Sequence, residues 1–215
     1  KVNSKNEKAI GFMKQILYGS WQERLPEIKA DLIFFDPPYG VTAHKWDKKF
    51  SPLDLDRLWN YLKPDGVIVM FSNDTSPLWT DSYLSTYKYK WYWKKNRNNN
   101  VFNSGSRPLS PIEELHVFSK AKTCRFFGGF TGSILEHDCV KPSKKVHPSQ
   151  KPIELCKFII SKYTNEGDLV VDICSGSGTI PLAAYLTNRD FLGIEKEEEF
   201  FHDSVNRVKH KMIKE

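Results

Sequence analysis

Cysteine is scarce in this chain. Four occur in 215 residues: Cys124, Cys139, Cys156 and Cys174. No C-x-x-C pairs them, and none has a histidine at zinc spacing, so no metal site is expected. They read as reduced thiols of a cytoplasmic protein, not a disulfide framework. Long apolar runs are missing too. None approaches the roughly 20 residues of a membrane helix, so no membrane partner is expected. The opening stretch 1–8 is polar and carries no apolar signal segment. Three glycine signatures are absent: no lysine completes a Walker loop, no G-x-G-x-x-G occurs, and no G-x-S-x-G elbow. Their absence argues against P-loop chemistry, a dinucleotide-dependent oxidoreductase and a serine hydrolase. No repeat is found, and no low-complexity tract beyond the short asparagine run 98–100.

What is present is a globular composition, 40% hydrophobic and 27% charged. The length suits one domain, or one domain with a small insertion. The net charge of +6 is compatible with a polyanionic partner, or simply with a basic protein. The excess is concentrated in 88–100 (KYKWYWKKNRNNN) and 141–151 (KPSKKVHPSQK), while 195–199 is acidic. Cations interleaved with rings suit nucleic acid, because cations meet phosphates and rings stack on bases. Trp91, Tyr92 and Trp93 also read as a strand with at least one buried face.

Apolar β-prone runs at 31–35, 67–71, 89–93, 114–119, 169–173 and 191–194 predict strands. Helical spacing predicts helices over 53–62, 75–87, 151–163, 180–187 and 197–211. The stretch 96–111 is rich in Asn, Ser, Gly and Pro and reads as a loop; 124–146 reads as an irregular insertion. Alternating strands and helices predict a parallel α/β sheet covered on both faces.

Two segments carry chemistry. The first is VVDICSGSGTI at 170–180, a strand into Asp172, then a glycine loop, then a helix. Ligands of such sheets bind at the carboxyl ends of strands, and glycines let backbone approach them closely. About twenty residues on, the next strand ends in Glu195, placed to accept ribose hydroxyls. The pair points to a nucleoside cofactor. The second segment is Asp36-Pro37-Pro38-Tyr39, which ends another buried strand. An exocyclic base amine is a poor nucleophile because its lone pair is delocalised into the ring. Two acceptors aimed at its N–H groups favour the tetrahedral form that attacks. The Asp36 carboxylate can be one, and the Pro37 carbonyl the other. Consecutive prolines fix φ and remove competing donors. Tyr39 offers a flat face for an extruded base.

Together these residues resemble the amino-group DNA methyltransferases, which make N6-methyladenine or N4-methylcytosine. D-P-P-Y at 36–39 is similar to their catalytic motif, D-I-C-S-G-S-G-T at 172–179 to their cofactor loop, and H-P-S-Q-K-P at 147–152 to the segment before that loop. The order is the circularly permuted one of the β class. The resemblance spans nearly the whole chain, 1–215, as one catalytic domain. Within it, 94–146 would be a short variable target-recognition region. It implies a Rossmann-like fold: a mostly parallel seven-stranded sheet with one antiparallel strand, helices on both faces. S-adenosyl-L-methionine is the implied cofactor, held by Asp36, Gln150, Lys151, Asp172, Cys174, Ser175, Gly176, Ser177, Gly178, Thr179 and Glu195. His147 is a weaker candidate. Family members commonly carry an acid where this chain has Ser20, which still can hydrogen-bond the cofactor. Double-stranded DNA is the implied partner, met by Lys94, Lys95, Arg97, Asn98, Arg107, Lys144 and Lys145. The small recognition region and the β-class habit point to a homodimer, in a bacterial, archaeal or phage-encoded setting. Asp36, where N4 enzymes more often carry Ser, tilts the expectation to adenine N6. Cytosine N4 and an RNA substrate stay open, as does a non-catalytic cofactor- or DNA-binding subunit.

Overall fold

The computed structural model describes residues 14–40, 50–72, 81–96, 110–129 and 131–213. Within them the chain runs β1 (Lys14–Tyr18), α1 (Trp21–Arg24), β2 (Ala30–Phe35), α2 (Pro52–Leu58), β3 (Leu62–Ser72), α3 (Asp81–Thr86), β4 (Tyr87–Lys94), β5 (Ile112–Phe118), β6 (Ile134–Glu136), α4 (Ile153–Tyr163), β7 (Leu169–Asp172), α5 (Thr179–Tyr185), β8 (Asp190–Glu195) and α6 (Glu198–Met212). The strands form one sheet in the order β1-β8-β7-β2-β3-β5-β4-β6. β5 is antiparallel to both β3 and β4; every other pairing is parallel.

The expected single antiparallel strand is therefore there, but the sheet has eight strands, not seven. Two of the eight, β1 and β6, lie outside the six predicted runs, and β6 falls in the stretch read as irregular. Three residues with one buried side chain leave no periodicity to detect. The region 94–146 is also not wholly an insertion, because β5 sits inside the sheet between β3 and β4. Helix α3 is described from Asp81; the rest of the expected 75–87 helix lies outside the described residues, and Tyr87 already opens β4.

β2 shows why a nearly unbroken apolar run is needed. All six of its residues are buried. Leu32 and Phe34 pack on one face with α4, α5 and α6, through Leu155, Ile159, Ile180, Leu182 and Val208. Ile33 and Phe35 pack on the other with Trp21, Leu55, Leu58 and Trp59. A strand covered on both sides cannot alternate apolar with polar. α4 follows the helical counterpart: its buried side chains are Leu155, Cys156, Ile159, Ile160 and Tyr163, one stripe at i, i+4 spacing. The helix ends at Thr164, whose extended backbone breaks the pattern and whose Oγ1 donates to the Ile160 carbonyl. Each such fully buried aliphatic side chain is worth about 1.5–3 kcal/mol.

Asp31 pins the amino end of β2. Its carboxylate takes hydrogen bonds from Lys63 Nζ (2.8 Å), Arg125 Nη1 (2.9 Å) and the Leu169 N–H (3.0 Å). Arg125 also reaches Asp168 (3.0 Å), so three distant segments are tied beneath the sheet. The opposite, carboxyl ends of β1, β8, β7 and β2 stay open.

Candidate active site

A cavity of about 410 Å³ occupies those carboxyl ends. Its floor is the 172–177 loop; one wall is Gly19–Gln22 with Glu195, Glu197 and Phe200; the other is Asp36–Tyr39 with Phe50. Strand order explains the meeting. β7 and β2 are neighbours, pairing Leu32 with Val170 and Ile33 with Val171, so Asp172 and Asp36 leave the sheet side by side.

The glycine loop is built for close approach. Gly176 and Gly178 have φ of +47° and +68°, which favour glycine. At Gly178 a Cβ would meet Ser204 Cβ at 3.0 Å, so the loop lies directly on α6. Arg207 of the same helix donates to the Ser177 carbonyl and to Thr179 Oγ1, both at 2.8 Å. Glu195 clamps the loop from β8: Oε2 accepts the Gly176 N–H at 2.6 Å and Oε1 the Glu197 N–H at 2.9 Å. Burial raises its pKa against those backbone donors. Asp172 is 2% exposed and accepts the Cys174 N–H at 3.1 Å. Burial pushes it well above the usual carboxylate range, and the nearby Glu195 and Asp36 charges add to the effect.

Asp36 is held on both oxygens. Tyr39 Oη donates to Oδ1 at 2.7 Å, and Lys151 Nζ lies 2.8 Å from Oδ2. Burial raises its pKa despite the lysine. Lys151 does not stop there: its ammonium is 2.7 Å from Glu113 Oε1 and 4.6 Å above the Phe71 ring. Glu113 is in turn paired with Lys95. The result is a buried chain of alternating charge, Asp36–Lys151–Glu113–Lys95. Burial disfavours the charge on Lys151, but Asp36 and Glu113 outweigh it and hold the ammonium protonated. For Glu113, burial raises the pKa, but Lys151 and Lys95 together bring it below the usual glutamate range.

Most of the residues singled out from sequence line one cavity: Ser20, Asp36, Pro37, Pro38, Tyr39, His147, Lys151, Asp172, Cys174, Ser175, Gly176, Ser177, Thr179 and Glu195. Gln150 and Gly178 do not. Gln150 is buried, and its Oε1 accepts the Val146 N–H at 2.9 Å, closing the 146–150 turn. Gly178 acts through its backbone shape and its contact with α6. Lys95 departs from its expected place on the nucleic acid: its side chain is 7% exposed, on Glu113 and 4.7 Å over the Trp93 ring. Lys94 is half-exposed and pairs with Glu136. Lys144 is exposed at a short 3-10 turn, Pro142–Lys144, on the approach to His147, whereas Lys145 is half-buried and its Nζ donates to the Pro148 carbonyl at 2.5 Å. Arg97, Asn98 and Arg107 lie outside the described residues.

Glu113 and Arg207 were not foreseen. Glu113 left one trace, a carboxylate near the start of a strand that ends in Leu115, Val117 and Phe118. Arg207 left none, being one cation among many on a charged helix. Among the described residues no cluster of His, Cys, Asp and Glu could hold a metal ion.

Comparison with known proteins adds a lineage to this geometry. A family described as DNA methylase matches residues 86–206, more than half of the chain. The Type II methyltransferase M.HindIII of Haemophilus influenzae is 40% identical over 76 residues, 35% of this chain and 25% of that protein. M2.MboI of Moraxella bovis is 46% identical over 61 residues, 28% of this chain and 22% of that protein. The chain thus spans about a quarter of the length of these two relatives. M.HpaI of Haemophilus parainfluenzae is 25% identical across 86% of this chain and 70% of its own length. Among solved structures, the M1.HpyAVI–SAM complex superposes with a TM-score of 0.67 at 27% identity, covering 90% of this chain and 98% of that one. The cytosine-N4-specific PvuII DNA methyltransferase shares the fold at TM-score 0.69 and 20% identity, covering 91% of this chain and 86% of that one.

Proposed function

Because the chain belongs to the DNA methylase family, in the β-class order of motifs, we propose that it transfers a methyl group from S-adenosyl-L-methionine to the exocyclic N6 amine of adenine in double-stranded DNA. The observation that carries this reading is the shared cavity. Asp36-Pro37-Pro38-Tyr39 and the Asp172–Glu195 pair, far apart in sequence, line the same 410 Å³. One holds an amine, the other a nucleoside. The volume falls in the range of small-molecule and cofactor pockets.

The residues fit the cofactor. The Glu195 carboxylate takes the backbone N–H groups of Gly176, Glu197 and Lys196 on about four acceptor sites, which leaves capacity for a ribose hydroxyl. Trp21, Ile180 and Phe200 give the cavity apolar lining beside the polar loop. Ser20 and Asp54 line it as well, acceptors for an adenine amine where the family's usual acid is missing. When bound, the cofactor supplies a methyl group on a positively charged sulfur. The chain's part is to present the nucleophile. A carboxylate has about four acceptor sites. Tyr39 and Lys151 occupy two on Asp36, so others remain for an amine N–H. The Pro37 carbonyl is the second acceptor, held by the proline pair. As the N–C bond forms and the C–S bond breaks, the amine becomes acidic and its proton passes to Asp36. Burial raises that carboxyl's pKa, which suits it to receive the proton. Preorganised acceptors of this kind act mainly by positioning.

Adenine is favoured by Asp at the first motif position. Lys94 and Lys144, which are exposed, and the half-buried Lys145 beside them are basic groups for the DNA backbone, and a homodimer is proposed with them on the family resemblance. The test is mass spectrometry of nucleosides from double-stranded DNA incubated with the protein and labelled cofactor. N6-methyldeoxyadenosine is expected, and Asp36→Ala should lose at least about 100-fold in rate with the fold kept. N4-methyldeoxycytidine as the product would overturn the choice of base. An unchanged rate in Asp36→Ala would overturn the mechanism.

A further inference from the structure

Glu113 and Lys95, the outer two of the buried charges behind Asp36, have no part in the acceptor scheme above. Lys151 alone could pin Asp36. A single lysine on a single carboxylate, however, draws the negative charge away from the face that must accept the amine. Here the ammonium is shared: 2.8 Å to Asp36 and 2.7 Å to Glu113. Glu113 is itself paired with Lys95, and the side chains of Lys151, Glu113 and Lys95 are all within 11% exposure. Water therefore cannot substitute for a lost partner.

We propose that Glu113 is a positioning residue for the reaction: it divides the Lys151 ammonium between two carboxylates, fixing the direction of Asp36 and preserving its strength as an acceptor. Lys95 completes the device by offsetting the charge of Glu113. It also joins the device to the recognition region, because the Lys95 N–H donates to the Pro111 carbonyl at 2.8 Å and so closes the neck of the segment between β4 and β5. The catalytic carboxylate and that neck are linked by three consecutive ion pairs.

The proposal rests on the methyl-transfer reading, so wild-type activity on DNA is its first control: no transfer by wild type sinks that reading and this one with it. Glu113→Gln leaves two buried cations with one carboxylate and could unfold. The double variant Lys95→Met/Glu113→Gln keeps the cluster neutral, with Asp36 and Lys151 intact. In either variant that folds, kcat should fall about 10-fold to 100-fold, with cofactor and DNA affinities within about twofold. Glu113→Asp should recover part of the rate. A second readout is the acid limb of the pH–rate profile. The groups facing Asp36 are Tyr39, Lys151, Glu113, Asp172 and the thiols of Cys156 and Cys174. Removing the Glu113 charge leaves Lys151 wholly to Asp36, so the limb should move to lower pH. With wild type active, an unchanged kcat and acid limb would overturn the proposal. So would a loss confined to KM or to cofactor affinity. If neither variant folds, Glu113 is a residue of stability and the proposal falls.

Discussion

Replacing Glu195 by Gln removes a charge without removing volume, and the structure sets the size of the effect. The carboxylate accepts the Gly176 N–H at 2.6 Å on one oxygen and the Glu197 N–H at 2.9 Å on the other. An amide keeps one acceptor and turns a donor toward the other N–H. One charge-assisted bond is lost, about 1.5–3 kcal/mol. If the whole loss falls on the cofactor-ready loop, affinity drops about 10-fold to 150-fold at 1.4 kcal/mol per tenfold. Calorimetric titration with S-adenosyl-L-methionine measures that share, and a thermal melt without cofactor measures what falls on folding. The pH dependence gives a second check. Burial raises the Glu195 pKa, so the wild type should lose affinity as pH falls through a value above the usual glutamate range. Glu195→Gln should flatten that limb. An affinity within twofold of wild type, with an unchanged melt, would refute the clamp.

Two further substitutions test the scaffold. Asp31→Asn leaves Lys63 and Arg125 facing a neutral group that is nearly buried, at a cost of about 3 kcal/mol and a melting point about 6–12 °C lower. Burial opposes the Asp31 charge, but Lys63, the Leu169 N–H and Arg125 outweigh it and hold the pKa low. The wild-type advantage should therefore be full above the ordinary aspartate pKa and fade as pH falls through the lower folded value; a gap that widens in acid would contradict this. Gly178→Ala forces a side chain into left-handed backbone against Ser204, a strain of about 1–3 kcal/mol. The melt should drop even when Ser204 is also made Gly, since Ser204 Cα and carbonyl O lie within 3.2 Å of the new methyl.

The two segments that meet in the cavity were legible because each is local in sequence. Asp36–Tyr39 and 172–179 are contiguous, and each ends a strand whose apolar run announces it. Glu195 was legible because one strand-and-helix unit fixes its distance from the loop. The alternating charges were not legible, since Asp36, Glu113 and Lys151 meet only through the order of strands. Lys95 shows the same limit in reverse. In a basic, aromatic stretch it looks solvent-facing, yet alternation along β4 and the pull of Glu113 turn it inward. Gln150 was read beside the cofactor; its side chain closes the 146–150 turn just outside the cavity lining. β6 was too short to show any period, and its place is set by pairing with Tyr92–Lys94.

The neighbouring placement of β2 and β7 also has a consequence in time. Asp31 and Leu169, which join those strands at their amino ends, are 138 residues apart in the chain. At synthesis rates of about 5–20 residues per second, β2 waits roughly 7–28 seconds for the strand beside it. Until then Phe34 and Ile33 lack a neighbour on one edge, and the carboxyl end that bears Asp36 has no glycine loop next to it. A growing chain therefore carries the Asp36–Tyr39 half of the cavity first, and the other half is complete only once β7 and β8 have docked and brought the glycine loop and Glu195 beside it.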